Sequence, residues 1–179
     1  MTRSCTTTSL PQWLARLAMA AALALPAPAL AQDAVLPATD KEALFTSPDP
    51  KLHRNKQAAL HIVRDLLEAG HWELAETYLT ERYIQHNPLV ASGRARLLEA
   101  VKQWGLPIKP IPARMTSPVV AVVAEGDFVV VSFVRDMKDP RDPSRSYTTT
   151  WFDMWRFVDG RADEHWDGAE IPPMPAKAE

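Results

Sequence analysis

Large apolar residues and polar residues alternate along residues 147–158, which read YTTTWFDMWRFV. Side chains of a strand point to opposite faces in turn, so this pattern predicts a strand with two different faces. One face carries most of the large rings and a single carboxylate: Tyr147, Thr149, Trp151, Asp153, Trp155 and Phe157. Asp159 and Gly160 then predict a tight hairpin turn, and a second strand is expected over residues 161–167.

Apolar residues recur at helical spacing in the first half of the chain. Residues 50–69 are predicted to form the clearest helix, with Asp49 as its N-cap. A second helix is expected over residues 71–79. Residues 80–90 interrupt the periodicity and are interpreted as the departing end of that helix. A third helix is predicted over residues 94–104.

The middle of the chain predicts extended structure. Residues 106–118 contain four prolines and are expected to form an extended crossover or an edge strand. Residues 119–124 and 128–135 predict a buried hairpin, and residues 136–146 predict a charged loop. Helices come first and antiparallel strands second, which indicates an α+β domain with the helices packed on one face of a sheet.

The N-terminus is predicted to be a secretory signal peptide, because the positively charged Arg3 and Arg16 precede a short run rich in Ala and Leu, which ends in a small-residue cleavage pattern. Residues 1–31 would be removed, and the protein would be periplasmic or secreted. An uncleaved amphipathic anchor is the alternative. We expect a flexible arm over residues 32–49, one domain over residues 50–171 and a disordered tail over residues 172–179.

Composition excludes several classes of function. The only cysteine, Cys5, lies in the predicted signal peptide, so the mature protein has no disulfide, no thiolate nucleophile and no cysteine metal ligand. The formal net charge is −2 and there is no basic cluster, which argues against nucleic-acid binding. Once the signal peptide is cleaved, no segment long enough to span a membrane is expected.

Two motifs now resemble a known family. YIQHNP, followed by the helix in ASGRARLLEAVKQW, and FDMWRFVDGRADEHWD resemble the SnoaL-like polyketide cyclases of the nuclear-transport-factor-2-like superfamily. The resemblance implies a cone-shaped α+β fold with N-terminal helices on a curved, mostly antiparallel sheet. It also implies chemistry without metal or cofactor, in which a strand aspartate, here Asp153, is the acid/base and a histidine, here His86, lines the pocket. The family's histidine in the middle strands has no counterpart here, since VVVSFVRD offers only Ser132 and Arg135.

Three residues are the catalytic candidates. Asp153 must be paired, protonated or chemically active, since an unpaired charge on an apolar face is costly. The alternative is a structural aspartate, either hydrogen-bonded to a strand neighbour or paired with Arg135 or Arg156. His86 could orient a substrate or simply cap a helix. His165 shares its face of the second strand with Asp163 and Asp167, and parity alone leaves open whether that face enters the pocket.

Four further residues are expected to bind substrate: Asn87, Trp104, Trp151 and Trp155. No metal site is predicted, because the histidines show no metal-binding spacing, and no glycine-rich phosphate loop is present.

We therefore expect an acid/base enzyme that acts alpha to a carbonyl of a small apolar substrate, by aldol condensation, cyclisation or isomerisation. The alternatives are a non-catalytic periplasmic binding module and a dimer-forming domain. A homodimer is expected in any case, because the open sheet faces of this superfamily commonly pair.

Overall fold

The structure is a computed structural model that describes residues 33–172. The predicted signal peptide and nearly all of the predicted tail lie outside the described residues. No helix within the described residues is long and apolar enough to cross a membrane.

The predicted first helix is confirmed. Helix α1 spans Pro50–His61, and the chain continues as π-helical turns over Ile62–Glu68. The Asp49 carboxylate caps α1 by accepting a hydrogen bond from the Leu52 amide at 2.9 Å, which satisfies one of the free N–H groups of the first turn. Gly70 ends the helical run with φ +80°, a conformation that glycine adopts without steric cost.

The predicted second helix is present but short and irregular. Only a 3-10 turn at Trp72–Leu74 and a single α-helical turn, α2, at Ala75–Tyr78 are present. The departing helix end is a strand instead: β1 spans Leu79–Gln85 and pairs in parallel with the last strand of the chain. That pairing joins residues about eighty positions apart in sequence, so local periodicity could not reveal it.

Helix α3 spans Arg94–Trp104, as predicted, and Gly105 ends it in the left-handed region at φ +61°. The proline-rich segment that follows forms no strand. It is tied to the end of the first helical run, because the Lys109 amide donates to the Ala69 carbonyl at 2.8 Å. The Glu68 carboxylate accepts from the Ser117 hydroxyl at 2.9 Å.

The second half of the chain is a meander of four strands: β2 at Val119–Glu125, β3 at Phe128–Asp139, β4 at Asp142–Val158 and β5 at Arg161–Asp167. With β1 they form one sheet in the order β1-β5-β4-β3-β2, antiparallel except for the β1–β5 pair. The predicted charged loop is wrong, since β3 and β4 continue through it and leave only a tight turn at Pro140 and Arg141.

The helices cover one face of this sheet, which we call the inner face. Its residues are buried against the helical run, among them Val129, Val131, Trp155 and Phe157. The predicted α+β class and mostly antiparallel sheet are confirmed. The opposite face, the outer face, keeps apolar side chains in solvent, including Phe152 at 54% exposure.

The segment before α1, expected as a flexible arm, is packed on this domain. Phe45 is fully buried in the core, and the Ala38 amide donates to the Val119 carbonyl at 2.8 Å. Burial of a phenylalanine side chain is worth about 2–3 kcal/mol, which accounts for the docking of a segment whose composition is otherwise polar.

Candidate active site

A cavity of about 270 Å³ lies between the helices and the inner face. Ile62, Leu66 and Leu67, which belong to the π-helical turns, form part of its apolar wall. Its polar residues all come from β1, β4, β5 and the residues just after β1: Gln85, Asn87, Asp153, His165 and Asp167. Five aromatic side chains also line it: Trp72, Tyr83, Trp104, Trp151 and Trp155.

Strand register brings these polar residues together. Asp153 of β4 lies directly opposite Asp167 of β5, and Trp155 lies opposite His165. Gln85 of β1 is the parallel partner of His165. Because side chains of paired residues share a face, all of these groups project from the inner face into the same cavity.

A β-bulge decides which residues of β5 enter it. Arg156 pairs with Glu164, but its neighbour Phe157 pairs with Ala162, so Asp163 is an extra residue without a partner in the ladder. An extra residue changes which side chains face inward. Asp163 consequently binds Arg156 on the outer face, whereas His165 remains on the inner face. The expectation from parity that Asp163 and His165 share a face of the strand is therefore wrong.

Asp153 is buried, with 8% of its surface exposed. Its Oδ1 accepts a hydrogen bond from the Trp151 indole N–H at 3.0 Å and lies 3.3 Å from Nε2 of His165. Among the residues that the structure describes, it makes no ion pair with an arginine. Arg135 stacks over Trp151, and Arg156 is bound to the outer-face carboxylates. The alternative of a structural Asp153–arginine pair is thus contradicted, whereas the alternative hydrogen bond to a strand neighbour is present, from Trp151.

His165 has an oxygen on each side of its ring. Nδ1 lies 2.8 Å from Oε1 of Gln85, and Nε2 faces the Asp153 carboxylate. A neutral imidazole carries only one N–H. In the tautomer that carries its proton on Nδ1, the ring donates to the Gln85 oxygen, and Nε2 faces the Asp153 carboxylate. A carboxylate and an imidazole at this separation beside a cavity have the geometry that general acid/base chemistry requires.

A second carboxylate lies beside this pair. Asp167 accepts from the Asn87 side-chain N–H at 2.7 Å and from the Ala169 amide at 2.9 Å. Ligand atoms of Asp153, His165 and Asp167 all lie within 4.8 Å of one another. This spacing is also compatible with binding a cation.

Tyr83 lines the cavity and is buried. Its hydroxyl oxygen accepts a hydrogen bond from the Trp155 indole N–H at 3.1 Å. Burial raises the pKa of Tyr83 well above its ordinary value, and the Asp153 and Asp167 carboxylates act in the same direction. The phenol is therefore protonated at neutral pH and has its own O–H proton available to donate.

The structure does not bring His86 to this site. It follows β1, and its imidazole stacks on Trp166 with ring centroids 4.4 Å apart and contacts Glu164 at 3.1 Å on the outer face. The expectation that His86 lines the pocket is corrected: it came from treating residues 80–90 as a helix end, whereas strand geometry points His86 away from Gln85 and Asn87.

The other predicted residues do meet in the cavity: Asp153, His165, Asn87, Trp104, Trp151 and Trp155. Their catalytic or binding roles stay predictions. Sequence reasoning missed Tyr83, Gln85 and Asp167. Tyr83 and Gln85 are two positions apart, and residues at this spacing share a face in a strand. That signal could be used only if residues 79–85 were recognised as a strand.

Comparison with known proteins identifies the domain. A model of the SnoaL-like domain family matches residues 59–165. A search of curated proteins finds no match to the chain.

Three of the solved structures that are similar to this chain are the following. An NTF2-like protein of unknown function from Burkholderia pseudomallei is 17% identical, over 65% of this chain and 91% of the other, with a TM-score of 0.47. IdmH from Streptomyces antibioticus, a proposed polyketide cyclase, is 23% identical over 64% of this chain and 91% of its own, with a TM-score of 0.44. An LEH-like epoxide hydrolase from M. tuberculosis is 11% identical over 64% of this chain and 80% of its own, with a TM-score of 0.45.

Proposed function

The chain belongs to the SnoaL-like domain family, and we propose that it is a cofactor-free enzyme performing acid/base chemistry alpha to a carbonyl. Its substrate would be a small, largely apolar compound held in the cavity, and the reaction an aldol condensation, a cyclisation or an isomerisation.

One observation carries this proposal. Asp153 is a buried carboxylate whose neighbours are a cavity, an indole N–H and a histidine, rather than an arginine. Burying a carboxylate in this way costs folding free energy, and a structural role would be served better by an ion pair. A position that combines low solvent access with a proton-sharing partner is suited to general acid/base work.

The chemistry follows from the positions of the side chains. Asp153 removes a proton from the carbon next to the substrate carbonyl, and the C–H electron pair becomes the enolate. The Tyr83 O–H donates a hydrogen bond to the enolate oxygen where negative charge develops. The Asp153–His165 pair then returns the proton at another carbon, giving an isomer. When the enolate carbon attacks a second carbonyl instead, a C–C bond forms and the new alkoxide takes the proton.

Deuterium exchange tests this with simple ketones in place of the natural substrate. A panel of small apolar ketones is incubated with the mature protein in D₂O, and deuterium at the alpha carbons is followed by NMR. We expect catalysed exchange for some ketones, and Asp153→Asn should reduce it by about a hundredfold or more.

The matched control is Asp136→Asn, which changes an exposed aspartate on β3 outside the cavity. It should exchange at the wild-type rate. Full exchange activity in Asp153→Asn would refute the assignment of Asp153.

A non-catalytic binding module is the second candidate. The aromatic walls favour it, because Trp104, Trp151 and Trp155 would bury an apolar ligand whether or not a reaction follows. In that case ligands bind, no ketone exchanges deuterium, and Asp153→Asn changes affinity only modestly.

We also propose that two copies pair through the outer face. Apolar side chains of four neighbouring strands are aligned there by register: Val123, Phe128, Val130, Phe152, Met154 and Trp166. Phe152 and Val123 are more than half exposed, and a continuous apolar area of this kind is typical of an interaction surface. Phe152→Glu should convert a dimer to a monomer by light scattering, whereas Asp136→Asn should not; a monomeric wild type would refute the dimer.

Secretion remains part of the proposal. The substrate would then be met outside the cytoplasm. Expression in a bacterial host with fractionation, followed by mass spectrometry of the intact protein, should give a periplasmic product that begins at Gln32.

A further inference from the structure

Acidic side chains predominate among the charged groups that line the cavity. Two carboxylates, Asp153 and Asp167, face it from adjacent strands, and His165 is its one imidazole among the lining residues. No lysine or arginine lines it within the described part of the chain. Even with His165 protonated, the walls keep a net negative charge while Asp153 and Asp167 are ionised.

The rest of the wall is aromatic. Four indole rings and one phenol surround the same space: Trp72, Tyr83, Trp104, Trp151 and Trp155. The electron-rich face of an aromatic ring attracts a positive charge, and tryptophan does so best. One such contact already exists at this wall, since the exposed Arg135 side chain places its guanidinium carbon 4.7 Å from the Trp151 ring centre.

We propose that the ligand of this cavity is an organic cation: an apolar body carrying one ammonium group, held by the aromatic rings and by the Asp153 and Asp167 carboxylates. The inference rests on the proposed function in taking this cavity as the substrate site, and it adds the charge of the substrate. Carboxylates supply the opposite charge, and the rings replace the water that a poorly hydrated ammonium group loses.

An organic cation suits the site better than a bare metal ion. A volume of about 270 Å³ holds a ligand of many non-hydrogen atoms, and indole rings do not coordinate metals. Moreover, both oxygens of Asp167 already accept N–H groups, from Asn87 and Ala169. These hydrogen bonds hold the carboxylate in place and leave one lone pair on each oxygen to face a charged ligand.

Choline and its tert-butyl analogue, in which carbon replaces the ammonium nitrogen, test the proposal. The two probes have nearly the same shape and differ in charge. Titration calorimetry on the mature protein should show choline binding at least about tenfold more tightly than the analogue, the ratio expected for a desolvated cation among aromatic rings.

Two variants locate the effect. Asp167→Asn should remove most of the preference for choline. Trp104→Leu changes a half-exposed ring and should weaken the binding of choline more than the binding of the analogue. Asp136→Asn should leave both affinities unchanged. Circular dichroism of each variant checks that it is folded, and Trp104→Leu keeps the test valid should Asp167→Asn fail to fold.

Equal affinities for the two probes would overturn the proposal, as would binding of Mn²⁺ with no response to choline. The deuterium-exchange assay separates this failure from failure of the proposed function. Asp153-dependent exchange of neutral ketones without choline preference overturns only the charge inference. Choline preference that depends on Asp167, without exchange of any ketone, supports the charge inference and contradicts the catalytic proposal.

Discussion

Nε2 of His165 lies 3.3 Å from Oδ1 of Asp153, although neither residue is the other's direct partner in the sheet. His165 is paired with Trp155, and Asp153 is paired with Asp167, so the contact runs diagonally between β4 and β5. Gln85 fixes the other side of the imidazole at 2.8 Å. Three strands therefore hold one ring, and the orientation of that ring depends on the parallel β1–β5 pair.

Loss of the Gln85 side-chain oxygen should impair proton transfer without removing a catalytic group. Gln85→Leu keeps the approximate volume but leaves Nδ1 of His165 without its acceptor, so the ring is no longer held in one tautomer. We expect the rate of ketone deuterium exchange to fall about tenfold, less than a complete loss of acid/base catalysis.

Gln85→Glu is the matched control, because it retains an acceptor. It should keep exchange activity with a pH profile displaced to higher pH, since a carboxylate favours the protonated imidazole. An unchanged rate and pH profile in Gln85→Leu would contradict the positioning role.

The outer-face carboxylate Asp163 should contribute to stability in a pH-dependent manner. It is buried and accepts hydrogen bonds from Arg82 at 2.9 Å and from Arg156. The Arg82 hydrogen bond is the main reason that its pKa lies below the ordinary value. Because the folded pKa is the lower one, the stabilisation is complete above the unfolded value of about 3.9 and is lost as the pH falls below it.

Asp163→Asn should therefore lower the free energy of unfolding at pH 7 by about 2 kcal/mol, a value reduced by the solvent exposure of Arg82. Urea denaturation across pH checks both points: the difference between wild type and variant should shrink as the pH falls below about 4. A difference that is constant down to pH 2 would contradict the assignment. Asp136→Asn should show no such dependence.

Gly70 should tolerate substitution less well than Gly105. Both have positive φ, at +80° and +61°, but a Cβ on Gly70 would lie 2.8 Å from the Pro107 carbonyl oxygen, whereas a Cβ on Gly105 meets nothing within 4 Å. Gly105→Ala should cost about 1 kcal/mol, the penalty of the left-handed conformation alone. Gly70→Ala should cost clearly more in thermal unfolding, because backbone must move; equal losses would show that the 106–118 segment yields freely.

The cap of α1 should be worth about 1 kcal/mol. Asp49→Ala removes the acceptor for the Leu52 amide and leaves that N–H to water. Asp49→Asn keeps an acceptor and should cost much less. Chemical denaturation of the two variants measures the difference, and equal stability of Ala and Asn would contradict a capping role.

The sequence alone determined those parts whose signal is local. Residues 50–69 and Arg94–Trp104 formed helices because apolar spacing and end residues agreed, and parity along β4 put Asp153, Trp155 and Phe157 on one buried face. The apolar spacing that predicts each of these elements is complete within the element itself. The resemblance to the family rested in part on the same segments, residues 94–104 and 152–158, and in part on residues 83–88, whose strand the local pattern did not predict.

Tertiary structure decided the composition of the site. β1 is a strand because β5 pairs with it, the bulge at Asp163 selects the inward residues of β5, and His86 faces outward as a result. None of this is encoded within a short window, since each choice depends on hydrogen bonds between segments distant in sequence. A strand position has a face only after its partner and register are set, so convergence of Gln85, Asp167 and Tyr83 on His165 and Asp153 required the folded sheet.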